Sequence, residues 1–373
     1  MLRRLRSTTP IAVDLGTSSF RAIQLDRNGR TPTIRHWLNQ PLPARQDDGQ
    51  EDSGDQDQSL PGLSLARLSD LSGFEGRRIV ASLGPPDVDV CSLKAPEKLM
   101  GQEQDVLIRS LRHEVARHVQ IPIETAELAV WPLPPVQVDG PNLMVAAAPK
   151  AMIRQFLEWV DAQGCVCVGI DLAPLAMMRA CLRVMSDLET EGLWGVLDVG
   201  ARSSRFYLGL DETPVYVRSL PASGDMMTRR IANELGVEPA MAERYKRHYG
   251  IRAEGGGYRP MLAQQGPIDD KRMANILLGA LSPIVRGMAQ DIEKSFRYAM
   301  DLYPGRRVSH VVLAGGGCRL DGLPELLGKL LGIPVRRACA DRLVAASRHH
   351  PALAADVLVE MVTCLGLSYG EYN

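Results

Sequence analysis

The apolar residues near the start of the chain follow the alternation of a β-strand, stop, and then resume. Within residues 11–13, Ile and Val alternate with a smaller residue, and residues 20–25 carry a second apolar run. The break between the two runs reads DLGTSS, and Arg21 follows shortly after it. This pattern predicts a strand, a tight turn and a second strand. The turn carries a carboxylate, a glycine and three hydroxyls, which are more polar side chains than a chain reversal needs.

A second copy of this design lies about half the chain away, in the stretch LWGVLDVGARSSRFYLGL at residues 193–210. In each copy an aspartate precedes an arginine by seven residues, Asp14 before Arg21 and Asp198 before Arg205. Self-similarity at this separation indicates an internal duplication. We therefore expect two similar halves, with their hairpins facing each other across a cleft.

The remaining apolar patterns predict helices and strands between and after the two hairpins. Helical spacing is present in EQDVLIRSLRHEVARHV and in KAMIRQFLEWVDAQG, where Gly164 is expected to end the helix. Two short strands are predicted within RRIVASLGPPDVDVCSLKAP. Further on, a strand at 311–314 runs into three glycines, and a helix follows from about Leu323.

Length and composition place the chain among globular proteins of more than one domain. At 373 residues it exceeds a typical domain, which predicts two packed domains. Its net charge of -1 gives no electrostatic reason to expect nucleic-acid binding. The seven cysteines form no CxxC pair, which favours reduced thiols in a cytosol. Since no apolar run suits a membrane span or a secretion signal, a cytoplasmic protein is expected.

Two segments are expected to lie outside the packed cores. Residues 1–10 are basic and predict a solvated tail. Residues 46–59 are rich in acids and have no basic or aromatic residue, so they predict a mobile loop.

Both predicted turns carry groups that suit a phosphate. A glycine lets backbone N–H groups approach phosphate oxygens without a side chain in the way. The aspartates at the strand ends, Asp14 and Asp198, suit a hydrated magnesium ion, which keeps several waters and takes few protein ligands. The hydroxyl donors are Thr17, Ser18, Ser19, Ser203 and Ser204. One such hairpin alone is typical of an ordinary turn, whereas the matched pair favours a phosphate site.

Two further features allow both a functional and a structural interpretation. The three glycines at 315–317 permit a close approach to a ring or a phosphate, or simply tight packing, and they do not form GxGxxG. Glu243 and Lys246 are neighbours on a predicted helix. They either hold a ribose or form a surface ion pair worth well under ~1 kcal/mol.

These pieces, in this order, resemble the superfamily of actin, the heat-shock chaperones and the sugar kinases. DLGTSS resembles its first phosphate loop, DVGARSS its second and LAGGGCRLDGL its adenosine motif. IDLAPLAMMRACL and EMVTCLGLSYG resemble its two connecting helices. The resemblance implies an α/β fold of the actin-like kind, with duplicated ribonuclease H-like domains.

Within this superfamily the chain resembles the PilM family of type IV pilus assembly proteins, which is itself similar to FtsA. The resemblance is carried by VAAAPKAMIRQFLEWVDAQGCVCVGIDLAPLAMMRA and by YVRSLPASGDMMTRRIANELGVEPAMAERYKRHYG. It implies a domain I at 11–185 that includes a 1C-type small subdomain at about 78–150. It also implies a domain II at 190–345, with a smaller subdomain at about 219–285, and a C-terminal hinge helix within 346–373 that returns to domain I.

The resemblance further implies ATP and Mg2+ as cofactors. The metal is expected at Asp14 and Asp198, and hydrolysis would need a polar group such as Asp171, which is alternatively a helix N-cap. The implied nucleotide-binding residues are Gly16, Thr17, Ser18, Ser19, Arg21, Gly200, Ala201, Ser203, Ser204, Glu243, Lys246, Gly315, Gly316, Gly317 and Arg319.

Three positions depart from the family pattern. Arg21 stands where the family usually has lysine, and Arg202 stands where a small residue is expected. At the hinge, Ala173 occupies a position where relatives often have glutamate, and alanine cannot orient a water for hydrolysis. Nucleotide binding is therefore predicted more strongly than turnover.

The implied function is an ATP-binding cytoplasmic scaffold of a type IV pilus or a type II secretion-like assembly. The implied partner is the N-terminal cytoplasmic peptide of a PilN-like inner-membrane protein, which would place the chain at the membrane surface, and self-association is a further expectation. The alternatives are an FtsA-like division protein and a sugar-type kinase. No segment clearly supplies a kinase's catalytic aspartate, and the final residues, GLSYGEYN, do not form the amphipathic helix expected of FtsA.

Overall fold

The computed structural model describes most of the chain in seven stretches. These are residues 8–27, 32–42, 73–136, 139–185, 191–252, 270–339 and 358–372. The acidic segment at 46–59 and most of the basic tail lie outside the described residues. Parts of the predicted smaller subdomain and of the C-terminal segment also lie outside them.

The elements follow in chain order. The strands are β1 (Ile11–Leu15), β2 (Ser19–Asp26), β3 (Thr33–Pro41), β4 (Arg78–Leu83), β5 (Asp89–Leu93), β6 (Ala126–Pro132), β7 (Leu143–Pro149), β8 (Val166–Leu172), β9 (Leu193–Val199), β10 (Ser204–Leu210), β11 (Thr213–Leu220), β12 (Val308–Ala314) and β13 (Val335–Arg337). The helices are α1 (Gln104–Val115), α2 (Lys150–Ala162), α3 (Ala173–Val184), α4 (Gly224–Leu235), α5 (Pro239–Tyr249), α6 (Asp270–Leu302), α7 (Leu323–Leu331) and α8 (Val362–Ser368).

The chain forms two compact units, each built on a five-stranded mixed sheet. Unit 1 comprises Met1–Leu188, Glu212–Val215 and Cys339–Asn373, and unit 2 comprises Glu189–Asp211 and Tyr216–Ala338. The first sheet has the order β3-β2-β1-β4-β8 and the second the order β11-β10-β9-β12-β13. Each begins with an antiparallel hairpin whose first strand then pairs in parallel with a later strand. The matching order confirms the predicted duplication.

A separate three-stranded sheet, β5-β7-β6, lies within unit 1. Its strands are all antiparallel, and α1 covers it with the apolar face formed by Leu107, Leu111 and Val115. This sheet occupies the region predicted for the small subdomain, but that prediction began too early. The strand β4 pairs with β1 and β8 in the main sheet, so the small sheet starts only at β5.

The core of unit 1 joins its main sheet to α2 and α8. Phe20 and Phe156 are almost fully buried in the cluster on the α2 side. On α8 every residue is buried, and the helix packs against α3, β1 and β2. Gly366 makes this packing possible, because a Cβ at this position would overlap the backbone carbonyl of Ala176.

Unit 2 is organised around α6, a helix of 33 residues whose apolar face is buried along its whole length. Phe296 on this helix meets Phe206 edge to face, with the ring centroids 5.4 Å apart. Pro283 lies inside the helix, and Gly279, one turn earlier, has open space around it. Of the helices that the structure describes, none combines the length and the apolar character required to cross a membrane.

Candidate functional site

The first hairpin joins β1 to β2 and places Asp14 directly opposite Arg21. Arg21 Nη1 donates a hydrogen bond to Asp14 Oδ2 at 3.1 Å, and both side chains are mostly buried. The turn closes where the Gly16 N–H donates to the Ser19 carbonyl at 3.0 Å. A Cβ on Gly16 would lie 3.0 Å from both Arg21 Nη1 and Ser19 O, so a larger residue would crowd this turn.

The second hairpin joins β9 to β10 and repeats the same register. Asp198 lies opposite Arg205, whose Nη1 donates to Asp198 Oδ2 at 3.3 Å. A Cβ on Gly200 would lie 2.5 Å from the Ser203 carbonyl oxygen. The seven-residue spacing seen in the sequence therefore corresponds to the same cross-strand ion pair in each unit.

Hydroxyl groups line both turns, but they differ in exposure. Thr17 and Ser18 are exposed at the tip of the first hairpin, whereas Ser19 and Ser204 are buried. Among the described residues, the hydroxyls of Ser19 and Ser204 and the Nε of Arg21 have no hydrogen-bond partner. Since a buried polar group without a partner is costly, these atoms fit a ligand that brings hydrogen-bonding groups, such as a phosphate.

The three-glycine turn lies beside the second hairpin in unit 2. The strand β12 runs parallel to β9 and ends with Ala314 opposite Asp198, so the glycines follow at the same sheet edge. Gly315 has a φ of +81°, and a Cβ on it would overlap the Asp198 carboxylate. A Cβ on Gly317 would overlap Val199. Both positions therefore require glycine, and the backbone lies directly against the aspartate.

The helix α4 holds the second hairpin from the other side. The Gly224 N–H donates to the Gly200 carbonyl at 2.9 Å, and the Asp225 N–H donates to the Ala201 carbonyl at 2.8 Å. Ser223 caps the helix by accepting from the Met226 N–H at 3.2 Å. The turn is thus fixed by the first residues of a helix, which also orients that helix's N-terminal dipole toward the turn.

Glu243 and Lys246 on α5 form an internal network rather than a surface ion pair. Lys246 is mostly buried and donates to Glu243 Oε2 at 2.6 Å, to Thr228 Oγ1 at 2.7 Å and to the Gly224 carbonyl at 2.9 Å. Thr228 in turn contacts Glu243 Oε2 at 2.6 Å. An ammonium group has three hydrogens, so this network uses all of them. It ties α5 to the first turn of α4, which itself contacts the second hairpin.

The carboxylate of Glu243 is strongly stabilised in its charged form. Burial alone would raise its pKa, but the charge of Lys246 and the hydrogen bonds from Lys246, Thr228 and Arg247 outweigh burial and lower the pKa to about 2. A group whose pKa is lower in the folded protein stabilises the fold above its ordinary pKa and loses that contribution as the pH falls.

We predict that Glu243→Gln flattens the pH dependence of unit 2 stability in acid. In the wild type the stabilisation of the fold by the charged Glu243 is complete above pH 4.5 and disappears as the pH falls toward about 2. Urea unfolding midpoints measured between these values should therefore decline less in the variant. Glu234→Gln, an exposed position on α4, is the matched control and should follow the wild type. Equal slopes in Glu243→Gln and the wild type would contradict the prediction.

Asp171 is enclosed by three hydrogen bonds in unit 1. Its Oδ1 accepts from the Leu172 N–H at 2.8 Å, and its Oδ2 accepts from Arg179 Nη1 at 2.8 Å and from the Tyr372 hydroxyl at 2.9 Å. The residue in the cap position of α3 is Leu172, so the alternative of Asp171 as N-cap is wrong. A catalytic role for Asp171 remains a prediction.

The structure assembles the predicted site residues separately in each unit. Unit 1 holds Asp14, Gly16, Thr17, Ser18, Ser19, Arg21 and Asp171. Unit 2 holds Asp198, Gly200, Ala201, Ser203, Ser204, Glu243, Lys246, Gly315, Gly316, Gly317 and Arg319. Within unit 2 the second hairpin and the glycine turn share a sheet edge, and the α5 pair connects to the hairpin through α4. Gly316 is half-buried, and Arg319, at the end of the same turn, is exposed.

Sequence reasoning missed the residues that support this arrangement. Ser223 and Asp225 form a helix start of the usual type, a serine cap with an acid in the first turn, and this signal could have located the first residue of α4. No sequence pattern indicated Thr228, because its hydrogen bonds are made to Glu243 and Lys246 on the neighbouring helix α5.

Comparison with known proteins agrees with this architecture. The family model described as Type IV pilus assembly protein PilM matches residues 12–255, and the model for cell division protein FtsA matches residues 195–357. The solved structure of a PilM-PilN type IV pilus biogenesis complex superimposes with a TM-score of 0.72 at 23% identity, covering 98% of each chain. The ethanolamine utilization protein EutJ from Carboxydothermus hydrogenoformans gives a TM-score of 0.50 at 14% identity, covering 97% of this chain and 89% of its own.

Two sheets of the same strand order, each starting with an Asp–Arg hairpin, define an actin-like ATPase fold, as predicted. Because its model spans well over half of the residues, the chain belongs to the PilM family of type IV pilus assembly proteins.

Proposed function

We propose that this protein is an ATP-binding scaffold of a type IV pilus assembly, and that both of its Asp–Arg hairpins take part in binding the nucleotide. The observation that carries the proposal is the repeated hairpin itself. Each copy combines a glycine turn, an Asp–Arg pair and a buried hydroxyl. A turn that only reverses the chain needs neither an Asp–Arg pair nor a buried hydroxyl, and both copies have these groups.

The donor set around both hairpins suits a polyphosphate. Backbone N–H groups, hydroxyls and guanidinium groups all donate, and phosphate oxygens only accept. Bound Mg2+ would neutralise phosphate charge, and the carboxylates available for its waters are Asp14 and Asp198. Such an ion keeps most of its waters, so one carboxylate from each hairpin is a sufficient protein contribution. Both carboxylates would then be shared between the ion's waters and their arginine partners.

Slow or absent hydrolysis is part of the proposal. Asp171, the candidate for orienting a water, already accepts three hydrogen bonds from this chain. A carboxylate engaged in this way is poorly suited to activate a water, because three of its roughly four lone-pair sites accept from Leu172, Arg179 and Tyr372. ATP would then act as a ligand that favours one conformation of the scaffold.

The proposed partner is the N-terminal cytoplasmic peptide of a PilN-like inner-membrane protein, which would hold the scaffold at the membrane surface. Membership of the PilM family and the likeness to a PilM-PilN complex support this choice. Together with the small β5-β7-β6 sheet, they favour a scaffold over a sugar-type kinase.

Isothermal titration of the purified protein with ATP and Mg2+ tests nucleotide binding, and titration with the synthetic PilN-type peptide tests the partner. We expect saturable binding of both, with the peptide affinity changed by saturating ATP. A kinase would instead release ADP only when a sugar acceptor is added. If neither ATP nor peptide binds, the proposed function is wrong.

A further inference from the structure

The segment that follows α8, residues 369–372, packs on the main sheet of unit 1, and we call it the strap. Its Tyr372 hydroxyl donates to Asp171 Oδ2 at 2.9 Å. The ring of Tyr372 lies over Gly169 of β8, where a Cβ would be only 2.6 Å from Tyr372 Cδ1. The Tyr372 carbonyl accepts from Arg78 Nη2 at 3.2 Å. Three contacts therefore seat this one residue on β4 and β8.

Asp171 lies at the same end of this sheet as the first hairpin. The strands β1, β4 and β8 are adjacent and parallel, and Ser82 of β4 pairs with Asp171. The strand β4 also pairs Ala81 with Val13 of β1. One position further along, Ser82 is therefore level with Asp14. Since neighbouring strands are about 4.8 Å apart and residues in such a row point to the same face, the Cα atoms of Asp14 and Asp171 are about 10 Å apart on one face.

The three donors to Asp171 differ in how firmly they are fixed. The Leu172 N–H belongs to the adjacent residue of β8, and Arg179 on α3 also donates to the Gly366 carbonyl at 3.1 Å. Burial and the charge of Asp171 raise the pKa of Tyr372, so its hydroxyl keeps its proton and stays a donor. Tyr372 lies outside the helices and strands. It is therefore the donor that can leave without unfolding either kind of element.

We propose that the strap is autoinhibitory: the Tyr372 hydroxyl occupies Asp171 and keeps the hydrolysis of ATP slow, and hydrolysis becomes faster when the strap leaves. The inference rests on the proposed ATP binding and adds a regulation of hydrolysis at that site. In this reaction the oxygen of a water bonds to the γ-phosphorus while the bond from that phosphorus to the bridging oxygen breaks. ADP leaves with the electron pair, and both hydrogens of the water leave on the phosphate product. Asp171, once released, accepts a hydrogen bond from this water and orients it.

The test is the rate of phosphate release from ATP and Mg2+ by the variant Tyr372→Phe, which removes the hydroxyl and keeps the ring. We expect kcat to rise about tenfold with KM unchanged, because a side chain that orients the attacking water affects the chemical step. Gly169→Ala should also raise kcat, because its new Cβ displaces the Tyr372 ring. Tyr369→Phe, the matched control in the same strap, removes a hydroxyl that is not among the described donors to Asp171 and should leave kcat unchanged.

A double variant separates this role from a structural one. Because the hydroxyl is proposed to act through the carboxylate, combining Tyr372→Phe with Asp171→Asn should abolish the gain in kcat. Thermal unfolding of each variant checks that the fold is retained. Titration calorimetry with ATP and Mg2+ measures binding separately from hydrolysis, and Tyr372→Phe should bind ATP like the wild type.

The outcomes distinguish this inference from the proposed function. Faster hydrolysis in Tyr372→Phe and Gly169→Ala that disappears with Asp171→Asn supports the autoinhibitory role. If ATP binds but Tyr372→Phe hydrolyses it no faster than the wild type, the inference is wrong and the proposed function stands. The same conclusion follows if the gain persists in the double variant. If no form of the protein binds ATP, both are wrong.

Discussion

Replacing Gly366 with alanine is expected to lower the free energy of unfolding by about 3 kcal/mol, the upper part of the range for overpacked cores. The new Cβ would overlap the carbonyl of Ala176 and would also lie 2.9 Å from the Ala176 Cα. These atoms belong to the backbone of α3, so no side-chain rotation can relieve the overlap. Either α8 moves away from α3 or the helix is distorted, and both changes reduce burial in the core of unit 1.

Urea denaturation followed by circular dichroism measures this effect, and Gly287→Ala provides the matched control. Gly287 lies within α6 with open space around it. The same substitution there is expected to stabilise the protein by about 0.5 to 1 kcal/mol, because alanine favours the helix. Equal effects at the two positions would show that α8 does not pack closely on α3.

Replacing Asp14 with asparagine is expected to weaken the binding of ATP with Mg2+ by about 10- to 100-fold, the range for a hydrogen bond that involves charged groups. The substitution removes the carboxylate that orients Arg21 at 3.1 Å and that is proposed to contact the waters of the ion. The expected loss is therefore larger with Mg2+ than without it. Calorimetric titrations in both conditions measure the difference.

Asp14 orients the guanidinium from within the hairpin. Asp161→Asn, an exposed position on α2, is the control and should bind ATP like the wild type. Unchanged binding in Asp14→Asn would remove the first hairpin from the proposed site.

Local patterns in the sequence predicted both hairpins. Their register was not predicted, although a tight antiparallel turn fixes which residues face each other and the spacing of Asp14 from Arg21 was enough to pair them. The i, i+3 spacing of Glu243 and Lys246 likewise predicted neighbours on one helix. Their burial could not be predicted in the same way, because it depends on Thr228 and Gly224 from another helix.

Features that depend on long-range contacts were missed or misplaced. The apolar run of β4 indicates a strand but not the sheet it joins, which is why the small subdomain was predicted to begin too early. Glu360 contacts Asn39 only because α8 returns to the first sheet. Asp171 is held by Tyr372, which follows it by 201 residues, and no local pattern connects the two.

The proline inside α6 has a mechanical consequence for unit 2. Pro283 has no N–H to donate to the carbonyl of Gly279. One backbone hydrogen bond is therefore missing near the middle of a helix about 50 Å long. Both residues are exposed, whereas Ala280 and Leu281 between them are buried. We therefore expect α6 to bend most easily at this point, while its buried apolar face keeps both halves packed on unit 2.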